Sequence, residues 1–380
     1  MKELQLYIHL PFCVKKCAYC DFLSFPAAEE TRRAYVRALV REIEAVGRRA
    51  PALSSLFLGG GTPSLLEPEE LNLIFGAVHR HFTLPKEAEC TIEANPGTIT
   101  AGKAECWRNL GINRISMGVQ SLEDSLLKRL GRIHTAEDAR RQFQLLRKAG
   151  FRNISMDLMM GLPDQSLQQW QDTLKEAVSW EPEHISCYSL IVEEGTPFSR
   201  EQEQGTLALP SEEEERAMYH WTVTYLKAHG YHQYEISNFA REGRESRHNL
   251  GYWERRPYIG VGLGAASLIE ENGSSCRYRN TEQLQRYLDE SGQPEGIQED
   301  RQLLNRRDQM EEFMFLGLRK TAGISRIDFQ TRFGAEPEEI FGAALQKQLG
   351  DGLLASDGKR YFLTTLGMDL GNQVFAAFLE

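Results

Sequence analysis

A chain of 380 residues with 41% hydrophobic and 26% charged residues has the make-up of an ordinary soluble globular protein, long enough for one large domain and a smaller one. Its net charge of -10 argues against a general nucleic-acid binder, although a local basic patch stays open. No apolar run approaches membrane-spanning length, and residues Met1 to Leu10 carry charge too early for a signal peptide. Cys90, Cys106, Cys187 and Cys276 are scattered without pairing logic, so a reducing cytoplasm is expected rather than a disulfide framework. Peripheral attachment to a membrane surface and a homodimer both stay open.

Along the chain a strand-then-helix unit recurs. Strand-like runs fall at Leu4 to Leu10, Ser54 to Leu58, Cys90 to Ala94, Asn113 to Val119, Asn153 to Met159 and His184 to Ile191. Helical periodicity separates them at Glu29 to Arg49, Pro68 to His81, Ala136 to Ala149 and Leu167 to Ser179. Such alternation predicts a parallel sheet, because right-handed crossovers need a helix between neighbouring strands. Six units are too few for a complete eight-fold barrel, so the expected fold is α/β, a partial, TIM-like (β/α)6 barrel.

The unusual residues all follow strands. Cys13, Cys17 and Cys20 follow the first, Gly59-Gly60-Gly61-Thr62-Pro63 the second, Glu93-Ala94-Asn95-Pro96 the third, Gly118-Val119-Gln120-Ser121 the fourth, Asp157 with Gly161-Leu162-Pro163 the fifth and Cys187-Tyr188-Ser189 the sixth. In a parallel barrel those ends share one face, so cysteines, glycines and carboxylates converge there.

Beyond Ser211 the pattern loosens. A helix from Glu212 to Ala228 leads to Tyr234 through Phe239, an arginine-rich loop, and a glycine-containing stretch from Tyr258 to Leu268. Helices at Arg306 to Arg319, Arg326 to Phe333 and Pro337 to Leu349 then precede a hairpin around Gly358-Lys359 and a last helix, a winged-helix-like order. The expected division is a core at 1–230, an associated extension at 231–299 and a smaller, mainly helical C-terminal domain at 300–380. Acids slightly outnumber bases in that last domain, so partner docking or a structural role is expected there and nucleic acid is not.

The C-x3-C-x2-C spacing of Cys13, Cys17 and Cys20 suits three corners of a [4Fe-4S] cluster, leaving one iron open to bind something. Inert thiols, or a zinc site completed by His9, are the alternatives; zinc would want a fourth ligand near, whereas Asp21 and Phe22 follow Cys20.

With Tyr7-Ile8-His9-Leu10-Pro11-Phe12-Cys13, Gly-Gly-Gly-Thr-Pro, Gly118-Val119-Gln120-Ser121, Asp157 and Gly161-Leu162-Pro163-Asp164-Gln165, the chain resembles the radical S-adenosylmethionine superfamily. Within it the resemblance is to the coproporphyrinogen dehydrogenase-like branch, which includes heme chaperones, and it covers essentially the whole chain. It implies that Cys13, Cys17 and Cys20 ligate the cluster and that the amino and carboxylate groups of S-adenosylmethionine chelate the fourth iron. It also implies that Tyr7, Gly60, Gly61, Thr62, Glu93, Gln120, Arg132 and Asp157 line the cofactor pocket.

Two departures separate the chain from the decarboxylating enzymes of that branch. Those carry a further cysteine where Phe22 stands, and an N-terminal extension where only six residues precede Tyr7. Arg247-His248-Asn249-Leu250-Gly251-Tyr252-Trp253 instead resembles the H-N-x-x-Y-W motif of the branch's heme chaperones. The resemblance implies a protein that binds heme and passes it to acceptor hemoproteins. His248, Asn249, Tyr252 and Trp253 are the candidate heme residues: His248 could offer an imidazole to iron, and the aromatic rings could pack on the macrocycle. Arg241, Arg244, Arg247, Arg255 and Arg256 would suit its propionates. The alternative function is oxygen-independent oxidative decarboxylation of coproporphyrinogen III. Tyr252 or His9 could serve as axial ligand in place of His248.

Overall fold

The computed structural model describes residues 4–47, 52–271 and 273–379. Six parallel strands, β1 (Leu4–Leu10), β2 (Leu53–Gly60), β3 (Glu89–Ala94), β4 (Arg114–Gln120), β5 (Ile154–Met160) and β6 (His184–Ser189), lie side by side in chain order. Helices Glu29–Val46, Pro68–His81, Ala101–Asn109, Ala136–Lys148 and Leu167–Ser179 fill the crossovers. Arg48 and Arg49, at the expected end of the first helix, lie outside the described residues.

Alternation along each strand tells which face lines what. On β4, Ile115, Met117 and Val119 are fully buried in the apolar core, while Arg114, Ser116, Gly118 and Gln120 face the interior of the curve. β1 repeats the rule with Leu6, Ile8 and Leu10 in the core and Tyr7 turned inward, and β5 with Met156 and Leu158 against Asp157. A parallel strand buried on both faces reads as a continuous apolar run. These six do not, because their concave face is the wall of a polar cavity.

The sheet is larger than six units imply. β7 (His232–Gln233) and β8 (Asn238–Ala240) add antiparallel beyond β6. On the other side β9 (Tyr258–Val261) pairs parallel with β1, and β10 (Ala266–Glu271), β11 (Ser274–Asn280) and β12 (Gln298–Leu304) continue antiparallel. Residues 231–304 thus join the same twelve-stranded sheet, and Val261, Leu263, Tyr287 and Ile297 belong to the main core. A short-range pattern could not reveal this, since β9 returns to pair with a strand some 250 residues earlier.

The C-terminal residues build their own core from Met310, Met314, Phe329, Phe341, Tyr361 and Phe378 among others. Helices Arg306–Gly317, Arg326–Phe333 and Pro337–Gly350 pack beside a three-stranded antiparallel sheet of Ile324–Ser325, Leu354–Ser356 and Arg360–Leu363. A buried pair, Arg255 with Glu312, ties this unit to the main sheet, and Arg277 reaches the same carboxylate.

Candidate functional site

One cavity of about 500 Å³ opens at the C-terminal ends of the parallel strands and runs down their concave face. Cys13, Cys17 and Cys20 lie at its mouth, all half-buried with free thiols. Their loop is pinned by its own backbone: Cys13 N donates to Phe25 O, Ala18 N to Leu130 O, and Phe198 N to Ala18 O. Among the described residues no three His, Cys, Asp or Glu side chains gather as the cage of a single metal ion. Thiolates on a cluster bind different irons, so their spacing is wider. His9 does not complete a set, since its ring nitrogens meet Tyr7 Oη at 3.0 Å and Leu23 O at 2.9 Å.

The glycine run makes the next wall. Gly60 has φ 111°, and a Cβ there would stand 2.5 Å from the His9 ring; one on Gly61 would stand 2.5 Å from Phe12 O. Only glycine lets this backbone come so close to the cysteine loop. Gly60 N donates to Glu93 Oε2 at 3.0 Å. Burial, and then the nearby Asp157 charge, push the Glu93 carboxyl up to about 7. Thr62 accepts from Asn95 Nδ2 at 2.9 Å.

Gln120 has φ 66° at a register shift on β4, a non-glycine residue in the left-handed region at a strand end. Asp157 accepts from Ser116 at 2.8 Å, Ser186 at 2.9 Å and Ser155 at 3.0 Å, which fixes its carboxylate in the wall. Arg132 comes from a helix-end segment rather than a strand end. Helix Asp124–Leu130 closes on the left-handed Gly131, which turns the chain back toward the cavity. The Arg132 guanidinium donates to Asn95 Oδ1 at 2.7 Å and Gly118 O at 2.5 Å and lies 3.7 Å from Cys17 Sγ, with its buried Nε unpartnered. All eight proposed cofactor residues line this cavity.

The H-N-x-x-Y-W segment forms helix Arg247–Trp253, capped by Ser246, and closes the inner end. His248 is 1% exposed. Its Nδ1 lies 2.8 Å from Ser55 Oγ, its Nε2 3.0 Å from Tyr252 Oη, and its ring stacks on Phe57. Burial, then the Arg114 charge, hold its pKa down to about 3. Both ring nitrogens are thus engaged by hydroxyls of the wall. Backbone amides of Arg247 and His248 donate to the buried Glu89, and Gln5 Nε2 reaches the His248 carbonyl, so the helix start is locked to the sheet. Asn249 and Tyr252 also line the cavity. Trp253 does not. Its ring carries the Arg319 guanidinium at 4.5 Å, which places it against the C-terminal unit.

Four of the five arginines expected to receive propionates are claimed by other groups, while Arg244 stands exposed with no side-chain partner among the described residues. Arg255 is buried with Glu312, Arg256 pairs with Glu254, Arg247 donates to Glu87 O, and Arg241 lies over Tyr231. Sequence proximity in a loop gathers charge only where nothing else claims it.

One residue of the wall escaped the sequence reading. Arg114 is 2% exposed at the inner end, its guanidinium makes no hydrogen bond or ion pair with any described residue, and its Nε is buried and unpartnered. The signal was present in the alternation of β4, where Arg114 begins the inward-facing series.

Glycines that a Cβ would block, two half-buried carboxylates and an unpartnered guanidinium nitrogen beside a cysteine triplet fit a cluster with an amino-acid-bearing cofactor. Comparison with known proteins agrees. The radical SAM superfamily model matches residues 7–177, and the HemN C-terminal domain model matches 304–370. Heme chaperone HemW of Bacillus subtilis is 39% identical over 98% of this chain and 98% of its own, and HemW of Lactococcus lactis 35% over 100% and 98%. The solved coproporphyrinogen III oxidase HemN from Escherichia coli superposes with a TM-score of 0.85 at 23% identity, covering 99% of this chain and 90% of that one, which shows a shared fold. On a full-length likeness of this strength, the chain belongs to the HemW family of the radical SAM superfamily.

Proposed function

We propose that this protein is a heme chaperone, binding heme and transferring it to acceptor hemoproteins. Its superfamily implies a [4Fe-4S] cluster and S-adenosylmethionine. The observation that carries the reading is the single cavity joining the cysteine loop to the H-N-x-x-Y-W helix, in a chain whose full-length relatives bear the name heme chaperone.

In this reading Cys13, Cys17 and Cys20 hold three irons, and Tyr7, Gly60, Gly61, Thr62, Glu93, Gln120, Arg132 and Asp157 surround the cofactor. When bound, cluster and cofactor supply a chelated fourth iron and an electron for the sulfonium. The chain's own part is positional. Arg132, held by Asn95 and Gly118, keeps its Nε for a carboxylate. Glu93 in its ionised form accepts from an amino group or a hydroxyl, and the carboxylate of Asp157, two strands along on β5, is placed to accept beside it. His248, Asn249 and Tyr252 shape the inner wall, and Trp253 braces their helix from behind. A cytoplasmic setting suits the seven free thiols.

The test is one anaerobically reconstituted sample assayed for hemin binding, hemin transfer to an apo-hemoprotein, and cofactor cleavage. Binding and transfer are expected. Failure of either defeats the chaperone reading, and cofactor-dependent conversion of coproporphyrinogen III would put an enzyme in its place.

A further inference from the structure

Large apolar side chains left in water are common singly, but a contiguous group of them marks a surface that is covered in use. Twelve such side chains are exposed among the described residues, and five of them, Val14, Phe22, Ile133, Tyr188 and Ile191, line the one cavity at the cluster loop. They arrive from three separate segments: the cysteine loop, the turn after Gly131, and the end of β6 with the chain that follows it. Phe22 and Ile191 are 64% and 68% exposed. No local sequence constraint brings these segments together, so their convergence is a property of the fold.

The charges beside them narrow the occupant. Lys15 and Lys16 are exposed at the same rim; Lys16 Nζ reaches only the Phe22 carbonyl, and Lys15 makes no bond to any described residue. Asp21 and Glu193 are the acids at the mouth. A ligand that matches this border is broad and apolar with carboxylates at its edge. Of the five arginines near helix Arg247–Trp253, Arg241, Arg247, Arg255 and Arg256 are engaged elsewhere, and none of the five lines the cavity.

Resting on the heme-chaperone reading, we propose that heme binds across the cavity mouth, its macrocycle on Phe22, Ile133 and Ile191 and its propionates toward Lys15 and Lys16, rather than at His248. The motif helix is then the rigid back wall of the site, not its ligand.

The test titrates hemin into the anaerobically reconstituted chain and follows the Soret band. The double variant Phe22→Ser with Ile191→Ser should weaken hemin binding about tenfold or more, while cluster absorption and melting temperature hold. Lys15→Glu with Lys16→Glu should weaken hemin several-fold but leave hemin dimethyl ester unaffected, because the ester has no propionate charge. Unchanged hemin affinity in the Phe22 and Ile191 variant overturns the proposal. So does unchanged affinity with lost transfer, which would make the rim a docking surface for the acceptor protein. If that variant loses its cluster, Ile133→Ser, in a segment without a cysteine, gives the same reading. Absence of hemin binding in the unaltered chain would instead remove the chaperone reading itself.

Discussion

At the inner end of the cavity both ring nitrogens of His248 are bonded, its backbone amide is held by Glu89, and its ring is stacked on Phe57. At the mouth, Phe22 and Ile191 stand in water and Lys15 bonds to nothing described. The same cavity therefore has a finished wall and an unfinished one. A closed hydrogen-bond set spends its donors and acceptors on the fold and has little left for a ligand. Exposed apolar surface is the reverse, contributing little to the monomer and available to whatever covers it. On the proposed placement of heme, a sequence motif and a binding surface need not coincide, and the motif marks the wall.

The comparison breaks most visibly through stability. Glu312→Ala leaves Arg255, 1% exposed at its side chain, without its buried partner at the back of the motif helix. It should cost about 4 kcal/mol in urea unfolding; a loss below about 1 kcal/mol would mean the inner end is not anchored to the C-terminal unit. His248→Ala removes two hydrogen bonds and a stacked ring, and should cost about 3 kcal/mol. The hemin Soret band of that variant should keep its position. A shifted band would make the imidazole a ligand and erase the distinction between the two ends.

Midway between the ends, Glu93 supplies a pH test. Its carboxyl is raised to about 7, so below that pH it holds its proton and cannot accept from a cofactor amino group. S-adenosylmethionine affinity, measured by calorimetry, should be level above pH 7 and fall by up to about tenfold per unit below it. Glu93→Gln should flatten the profile at the lower affinity, and a profile unaltered by that change would assign the titration elsewhere. The smallest effect belongs to the mouth: Val14→Ser should alter unfolding free energy by less than about 0.5 kcal/mol. A larger loss would show that the rim is part of the core.

Much of this was legible residue by residue. Cys13, Cys17 and Cys20 fall within eight positions, so their partnership is local and survives any uncertainty about the fold. The helices Pro68–His81 and Leu167–Ser179 begin and end where their periodicity does, helped by capping boxes at Glu67 and Ser166. The placement of Glu93 and Gln120 at strand ends was also readable, because parallel strands put their ends on one face, whereas Asp157 lies in the middle of β5. The hydrogen-bonded state of His248 was not readable, since Ser55 and Phe57 lie nearly two hundred residues before that histidine.

Sequence alone marked the cysteine triplet, the six strand-like runs and the parallel sheet their alternation with helices implies, because ligand spacing and local periodicity act over a few residues. Tertiary structure decided which polar groups were free. Whether an arginine pairs, an imidazole keeps a lone pair or an isoleucine stays in water depends on what distant segments bring beside it. That is how Arg256 and Arg255 were claimed by Glu254 and Glu312 while Phe22, Ile133 and Ile191 were left exposed around one cavity mouth.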